Sequence, residues 1–464
     1  MWKSKNKYMA LKNKYITLGD GVYLHLVPDG AIVGKRQSQG PKPFTLEYIN
    51  KTATKILLKC NGTLTAAEII QNLFKEEGEE YDEVIARQNF LFLEEALKKG
   101  HIKAYDGPSP VSLGKTGSLV SVTGTADYFT PVELIAELTY ECNFRCRHCY
   151  VESSPLRKEF MPTREFLDKL EELHLKGVRV IELTGGEPLL HPDFLEIFEY
   201  CASVFELVAV ITNGYLINEE IVDKWQKYKH KLIVSVSLHS YSSKFHDWFT
   251  CKDGAWKKAT EAIQLLANKG IHTVRASMVL TPENWRDMEK TIILAKQLGA
   301  NLFTYTPVLP FGRGKNLKYN LNISELEELI RYTNKIVSKY GRFIQIVPEE
   351  VVEWVGEHGC RAGLKSVVLG PTGNLRPCLM LGDSYISLGN LFYEDMDEIY
   401  QKPIISWLDK LKPPSKDICG ECKYQLFCWN CYSKAIMKWE ELGERCTWAK
   451  IYNVDKWIRS PKPL

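Results

Sequence analysis

Cys142, Cys146 and Cys149 stand in one short segment, Leu138-Thr-Tyr-Glu-Cys-Asn-Phe-Arg-Cys-Arg-His-Cys-Tyr150, with three residues between the first pair and two between the second. A [4Fe-4S] cube normally takes four cysteine thiolates, one per iron. A close triplet with no nearby fourth therefore suggests a cluster with one iron left open to an exogenous molecule. A partial zinc site and buried apolar thiols are the competing explanations, although zinc would want a fourth Cys or His at matching spacing. Seven further cysteines follow residue 355: Cys360, Cys378 (with Gly373 ahead of it), Cys419-x2-Cys422-x5-Cys428-x2-Cys431 and Cys446. Their density and order point to more metal ligation, and Cys-x2-Cys pairs also occur in zinc ribbons.

The chain around these thiols is otherwise ordinary. Its 464 residues suit about three domains. A hydrophobic fraction of 45% and a charged fraction of 25% are those of a globular protein, and 60 Lys+Arg against 57 Asp+Glu leave a net charge of +3. That balance asks for neither nucleic acid nor an acidic membrane. The basic N-terminus lacks the apolar stretch of a secretory signal, and no run approaches a membrane span, so the expected location is the cytoplasm. Thiols stay reduced there, which favours metal or cluster ligation for an odd total of 13 cysteines.

From about residue 131 the text alternates short β-rich runs with amphipathic helical stretches. The runs are Leu134–Leu138, Val178–Leu183, Leu207–Ile211, Leu232–Val236, Thr273–Met278 and Leu302–Tyr305. Six such units imply a parallel sheet with right-handed crossovers, too few for a full eightfold barrel. Ligands in these folds bind beyond the carboxyl ends of the strands, and the cysteine triplet follows the first strand at that edge. Ahead of this region, residues 15–104 form a small unit. It has short strands (Tyr15–Leu18, Val22–Leu26, Ala31–Val33), a helix within residues 49–62 stopped by Asn61-Gly62, and a second helix capped by Thr65 with Glu68 three residues on. A generic DNA-binding helix-turn-helix and a peptide-binding winged helix both fit this pattern; the weak net charge disfavours the first. Cys60 there is most simply a small core residue. Gly107–Gly124, rich in Gly, Ser, Pro and Thr, is predicted to be a linker.

The strand ends carry further candidates. Thr184-Gly-Gly-Glu-Pro188 follows the second strand; its glycines allow a tight turn and close approach to a ligand, and Glu187 offers an acceptor for a cationic amine. Thr212-Asn-Gly214 follows the third, with Asn213 a polar contact. Ser235 and Ser237 on the fourth share one strand face and suit ribose or carboxylate contacts, unless they are satisfied locally.

With these residues in place, the chain resembles the radical S-adenosylmethionine (SAM) superfamily with a C-terminal SPASM extension, and within it the thioether-forming peptide maturases of the sactipeptide and ranthipeptide type. The resemblance rests on Cys-x3-Cys-x2-Cys-Tyr with Glu152-Ser-Ser154 behind it, Thr-Gly-Gly-Glu, Thr-Asn-Gly, Phe311-Gly-Arg-Gly314, Cys360 with Gly363-x-Lys-Ser366, and the C-terminal array. It implies an α/β fold: a winged-helix leader-recognition domain (1–104) that adds the leader of a precursor peptide as an edge strand, a linker (105–130), a partial (β/α)6 TIM-like barrel (131–350) and a SPASM domain (351–464). It implies SAM chelated at the open iron, with Gly185, Gly186, Glu187, Pro188, Asn213, Ser235 and Ser237 around it. Where relatives carry Ser-Leu-Asp and a later Arg, this chain has Ser237-Leu-His239 and Thr250, so Arg275 or Lys252 would take the SAM carboxylate. Cys251 beside them is by default a loop or core thiol. Three [4Fe-4S] clusters are implied: Cys142, Cys146 and Cys149 hold the first, Cys360, Cys378 and Cys431 one auxiliary cluster, and Cys419, Cys422, Cys428 and Cys446 the other. Eight auxiliary positions and seven cysteines leave one iron, open to a substrate thiolate or else filled by a Glu, a His or water, with the clusters then only relaying electrons. The implied reaction joins a cysteine sulfur to a carbon of a ribosomal peptide, with electrons from a flavodoxin or ferredoxin. Carbon-carbon crosslinking, epimerisation or oxidation on the same scaffold is the alternative, and a non-enzymatic carrier the remote one.

Overall fold

The protein is seen in a computed structural model that describes residues 10–36, 44–111, 113–114, 120–316, 322–344, 361–382 and 385–459. Two compact units emerge: residues 1–130 with 175–177, and residues 131–174 with 178–464.

In the first unit the chain forms strands β1 (Tyr15–Leu18), β2 (Val22–Val27), β3 (Gly30–Arg36) and β4 (Phe44–Asn50), the first three largely buried. The Asn50 side chain caps helix α1 (Lys51–Lys59) by accepting from the Ala53 amide. Beyond it the chain runs as strand β5 (Asn61–Thr65) along β1 before the next helix begins. Gly62 is less a helix stop than a close-contact residue: at φ +80°, a Cβ there would lie 1.8 Å from the Ser109 carbonyl oxygen. Thr65 and Glu68 form the expected capping box of α2 (Ala66–Glu77), and α3 (Glu83–Lys99) leads to β6 (Ile102–Tyr105), which pairs with β1. Ile56, Leu57, Ile69, Ile70, Leu73, Phe90 and Leu93 fill the core, with Cys60 fully buried among them as a small apolar residue. The predicted linker needs correcting. Strands β7 (Leu113–Gly114) and β8 (Val120–Gly124) extend the sheet in the order β4-β3-β2-β8-β7. The Gly, Ser and Pro content of this stretch hides the β-branched residues that pair parallel to β2, Val122 opposite Leu24 among them.

In the second unit all six expected strands are present and parallel: β9 (Glu133–Glu137), β10 (Val180–Thr184), β11 (Leu207–Thr212), β12 (Leu232–Ser237), β13 (Thr273–Leu280) and β14 (Leu302–Pro307). Their near-continuous apolar character follows from burial on both faces. Helices α4 (Thr163–Lys176), α5 (Phe194–Val204), α6 (Glu219–Gln226), α7 (Ser243–Thr250), α8 (Ala255–Asn268) and α9 (Met288–Gln297) supply the crossovers, the arrangement of a partial TIM-like barrel. The sequence did not announce that the C-terminal segment adds to this sheet. Strand β15 (Ser366–Leu369) pairs parallel with β9, and β16 (Asn374–Arg376) and β17 (Gly389–Asn390) follow antiparallel, giving nine strands. Among the described residues no helix is long and apolar enough to cross a membrane.

Candidate active site at the strand ends

The cysteine segment leaves β9 and is gripped by the loops after β10, β11 and β14. The Gly186 amide donates to the Thr139 carbonyl (2.7 Å) and the Glu187 amide to the Glu141 carbonyl (2.9 Å). The space freed by the two glycines is filled by this backbone: a Cβ at Gly185 would lie 2.3 Å from Thr139 O, and one at Gly186 2.1 Å from Glu141 O. Their close approach is therefore to the chain itself, where the sequence suggested a ligand. Glu187 is fully buried. Its carboxylate accepts from the Thr212 hydroxyl (2.7 Å) and the amides of Asn213 (2.8 Å) and Leu189 (3.3 Å), tying two strand-end loops together. Burial pushes its carboxyl up to about 7 against the pull of these donors. Pro188 is buried at the start of the short turn that follows. Asn213 reaches the triplet directly, its Nδ2 donating to Asn143 Oδ1 (2.8 Å) with Cys142 Sγ at 3.9 Å.

Phe311–Gly314 carried no assigned role in the sequence, yet it closes the other side. Arg313 donates from its amide to Cys149 O (3.0 Å), from Nε to Cys146 O (2.7 Å) and from its terminal nitrogen to Ser153 O (2.8 Å). At Gly312, φ +52°, a Cβ would sit 2.5 Å from Cys149 O. The pairing of Gly-Arg-Gly with the end of the sixth strand was the signal for this role.

The thiols have donors aimed at them. The Phe144 amide points to Cys142 Sγ (3.4 Å) and the Ser153 amide to Cys149 Sγ (3.3 Å). Burial pushes the Cys142 thiol up to about 12 and Cys146 well above its ordinary range, so bound metal must displace the protons. Three buried polar atoms on the same loop, Asn143 Nδ2, His148 Nδ1 and Ser153 Oγ, have no hydrogen-bond partner. The His148 ring stacks on Phe249 (4.2 Å between centroids) and meets His239 edge-on (4.7 Å). Burial first, then Arg313, holds His148 down at about 3, a neutral flat ring. Thiols bordered by N–H donors and orphaned polar atoms fit a cluster with a polar ligand.

Ser235 and Arg275 are register partners, and Arg275 Nε donates to Ser235 Oγ (2.9 Å). Arg275 also faces the Glu182 and Glu133 carboxylates electrostatically. Ser237 pairs in register with Ser277, nearer the carboxyl end. Lys252 instead lies over the Tyr215 ring (5.1 Å), which meets Phe144 of the cysteine loop edge-on (5.6 Å). Thr250 is buried and donates to the His246 carbonyl (2.8 Å). Cys251 is exposed in a left-handed conformation at the end of α7.

The C-terminal thiols fall into two groups. Cys419, Cys422, Cys428 and Cys446 line one pocket with Pro414, Ala435 and Trp448. Cys378 and Cys431 line a separate cavity of about 350 Å³ with Ile135, Val368, Met380 and Trp407. Cys378 Sγ accepts there from the Ser433 hydroxyl and the Met380 amide, both at 3.4 Å. Cys360, expected as their partner, lies outside the described residues. Among the described residues no three Cys, His, Asp or Glu converge on a single metal-ion position.

The Radical SAM superfamily profile matches residues 136–295, and the SPASM iron-sulfur cluster-binding domain matches residues 360–423. The antilisterial bacteriocin subtilosin biosynthesis protein AlbA of Bacillus subtilis is 28% identical over 452 residues, covering 95% of this chain and 98% of its own length. The mycofactocin maturase MftC of Mycobacterium tuberculosis is 27% identical over 305 residues, 64% of this chain and 77% of its own. Among solved structures, SuiB of Streptococcus suis bound to S-adenosylmethionine matches with a TM-score of 0.62 at 17% identity, covering 91% of this chain and 96% of that one. SuiB bound to its precursor peptide SuiA matches at 0.61 and 16%, covering 91% and 97%.

Proposed function

We propose, from the radical SAM match over residues 136–295 and the SPASM iron-sulfur match over residues 360–423, that this chain is a radical SAM enzyme that installs thioether crosslinks in a ribosomally made precursor peptide. Cys142, Cys146 and Cys149 hold the first cluster, with Asn143, Asn213 and the neutral His148 ring beside the SAM position. Bound there, the cluster and SAM supply a 5'-deoxyadenosyl radical that takes hydrogen from an unactivated carbon. Lys252 takes the SAM carboxylate, because it lies against the cysteine loop through Tyr215 while Arg275 is committed to Ser235, Glu182 and Glu133 inside the barrel. Ser237 completes the surround, Gly185 and Gly186 let the turn pack on the cysteine loop, and Glu187 acts by bracing the Asn213 loop.

The observation that carries the thioether reading is the cavity at Cys378 and Cys431. Its lining among the described residues is largely apolar and contains no His, Asp or Glu to compete with an incoming thiolate. Cys360, Cys378 and Cys431 hold one auxiliary cluster and Cys419, Cys422, Cys428 and Cys446 the other, three clusters in all. The open position of a cluster held by Cys360, Cys378 and Cys431 would take the thiolate of the substrate cysteine. Likeness to AlbA over 95% of the chain supports a peptide substrate, as does the SuiB fold, one of whose structures holds precursor peptide SuiA. Residues 1–104 bind the leader, a flavodoxin or ferredoxin supplies electrons, and the protein works in the cytoplasm.

Replacing Cys142, Cys146 and Cys149 together by Ala tests the assignment. SAM cleavage should vanish while iron at the C-terminal thiols remains; loss of all iron would contradict the allocation. A peptide product with a carbon-carbon bond, and its cysteines still open to alkylation, would favour the other class of radical modification.

A further inference from the structure

Both ends of the cysteine segment converge on one buried carboxylate. Tyr140, two residues before Cys142, donates its hydroxyl to Glu137 Oε2 (3.0 Å). Tyr150, directly after Cys149, donates to Glu137 Oε1 (3.1 Å). Glu137 is the last residue of β9 and its side chain is 0% exposed. Its countercharge comes from outside the barrel's own six strands: Arg376, the last residue of β16, is 2% exposed and forms an ion pair with Glu137 Oε2. The turn between β15 and β16 packs on the same group, since a Cβ at Gly370 would stand 3.2 Å from the Tyr140 hydroxyl oxygen. Removing one partner of a buried pair leaves a charge with nothing to balance it. The carboxylate that pins Tyr140 and Tyr150 therefore depends on the C-terminal segment.

We infer that Arg376 is a positioning residue for the first cysteine site: by neutralising Glu137 it fixes Tyr140 and Tyr150, and so sets the geometry of the loop at which SAM is cleaved. The inference rests on the assignment of Cys142, Cys146 and Cys149 to the SAM-cleaving cluster. Arg376 stands two residues before Cys378, so the segment that presents an auxiliary ligand also shapes the radical-generating loop.

The test uses the full, reconstituted chain. In Arg376→Met, SAM cleavage without peptide should slow by about tenfold, and the change that SAM produces in the electron paramagnetic resonance spectrum of the reduced first cluster should be lost or altered. Iron at the Cys419, Cys422, Cys428 and Cys446 pocket should stay. Arg376→Lys, which keeps the charge but not the planar fork, should recover part of the rate. An Arg376→Met protein with the wild-type rate and the wild-type SAM-dependent spectrum overturns the inference. Should that variant not fold, Glu137→Gln with Arg376→Met leaves no buried charge unpaired and carries the same test: an altered spectrum supports the role, an unchanged one ends it. Wild-type protein that cleaves no SAM would instead defeat the underlying assignment.

Discussion

Cys419, Cys422, Cys428 and Cys446 close a pocket from four sides with Pro414 and Trp448, whereas Cys378 and Cys431 stand at the wall of a cavity of about 350 Å³ lined by Ile135, Val368, Met380 and Leu408. The difference lies in the thiols that each site offers among the described residues. Four thiolates can satisfy every iron of a cube, so the first group needs nothing from outside. Three would leave one iron open. The surroundings diverge too. Burial pushes Cys428 up to about 12, with the neighbouring thiols Cys446, Cys422 and Cys419 adding to the rise, while Cys378 receives a hydroxyl and an amide donor of its own. On the proposed function the two sites would do different work: one would hold electrons, the other would meet a substrate sulfur.

The largest effect that can break this contrast comes from removing ligands. Cys378→Ala with Cys431→Ala should eliminate bridged peptide completely while SAM cleavage continues, as read by mass spectrometry of peptide and nucleoside products. Cys419→Ala with Cys428→Ala should instead cost iron and stability, since ligand-site occupancy contributes to folding; its thermal midpoint should fall further than that of the first pair. Equal behaviour of the two double variants would erase the distinction.

A smaller effect comes from filling space. Ala362→Phe intrudes on the roomy cavity and should raise the KM for peptide several-fold with SAM cleavage unchanged, at an overpacking cost of about 1–3 kcal/mol. Ala435→Leu at the closed pocket should lower stability and leave the peptide KM alone. The smallest is Ser433→Ala. It deletes one hydrogen bond to Cys378 Sγ, worth about 1 kcal/mol, and should move the potential of that site downward while the four-thiol site keeps its own. A shift at both sites would mean that the hydroxyl acts globally.

The barrel was legible because its signal is repetitive: β10 through β14 are apolar runs whose neighbours have helical period, and the triplet follows β9 at the edge where ligands gather. The grouping of Cys419, Cys422, Cys428 and Cys446 was implied by the family resemblance, and the four thiols line one pocket. What was hidden depended on partners far away in sequence. Ser366–Leu369 is too short to declare itself a strand, and becomes one by pairing with β9. Val120–Gly124 has turn-like company and pairs with β2. Arg313 and Arg376 look like ordinary surface cations until folding places them on the Cys146 carbonyl and on Glu137. The glycines of Thr184–Pro188 were correctly singled out as close-approach residues, but periodicity cannot say that the approaching atoms are Thr139 and Glu141 backbone.

The central claim is that radical chemistry started at Cys142, Cys146 and Cys149 ends in a sulfur-carbon bond formed beside Cys378 and Cys431. It is tested most directly by anaerobic incubation of the reconstituted protein with SAM, a reductant and the precursor peptide encoded beside its gene, followed by mass spectrometry before and after alkylation. The account predicts loss of two hydrogens for each bridge, with the bridged cysteines protected from the alkylating reagent. Unmodified, fully alkylated peptide recovered alongside efficient SAM cleavage would contradict it.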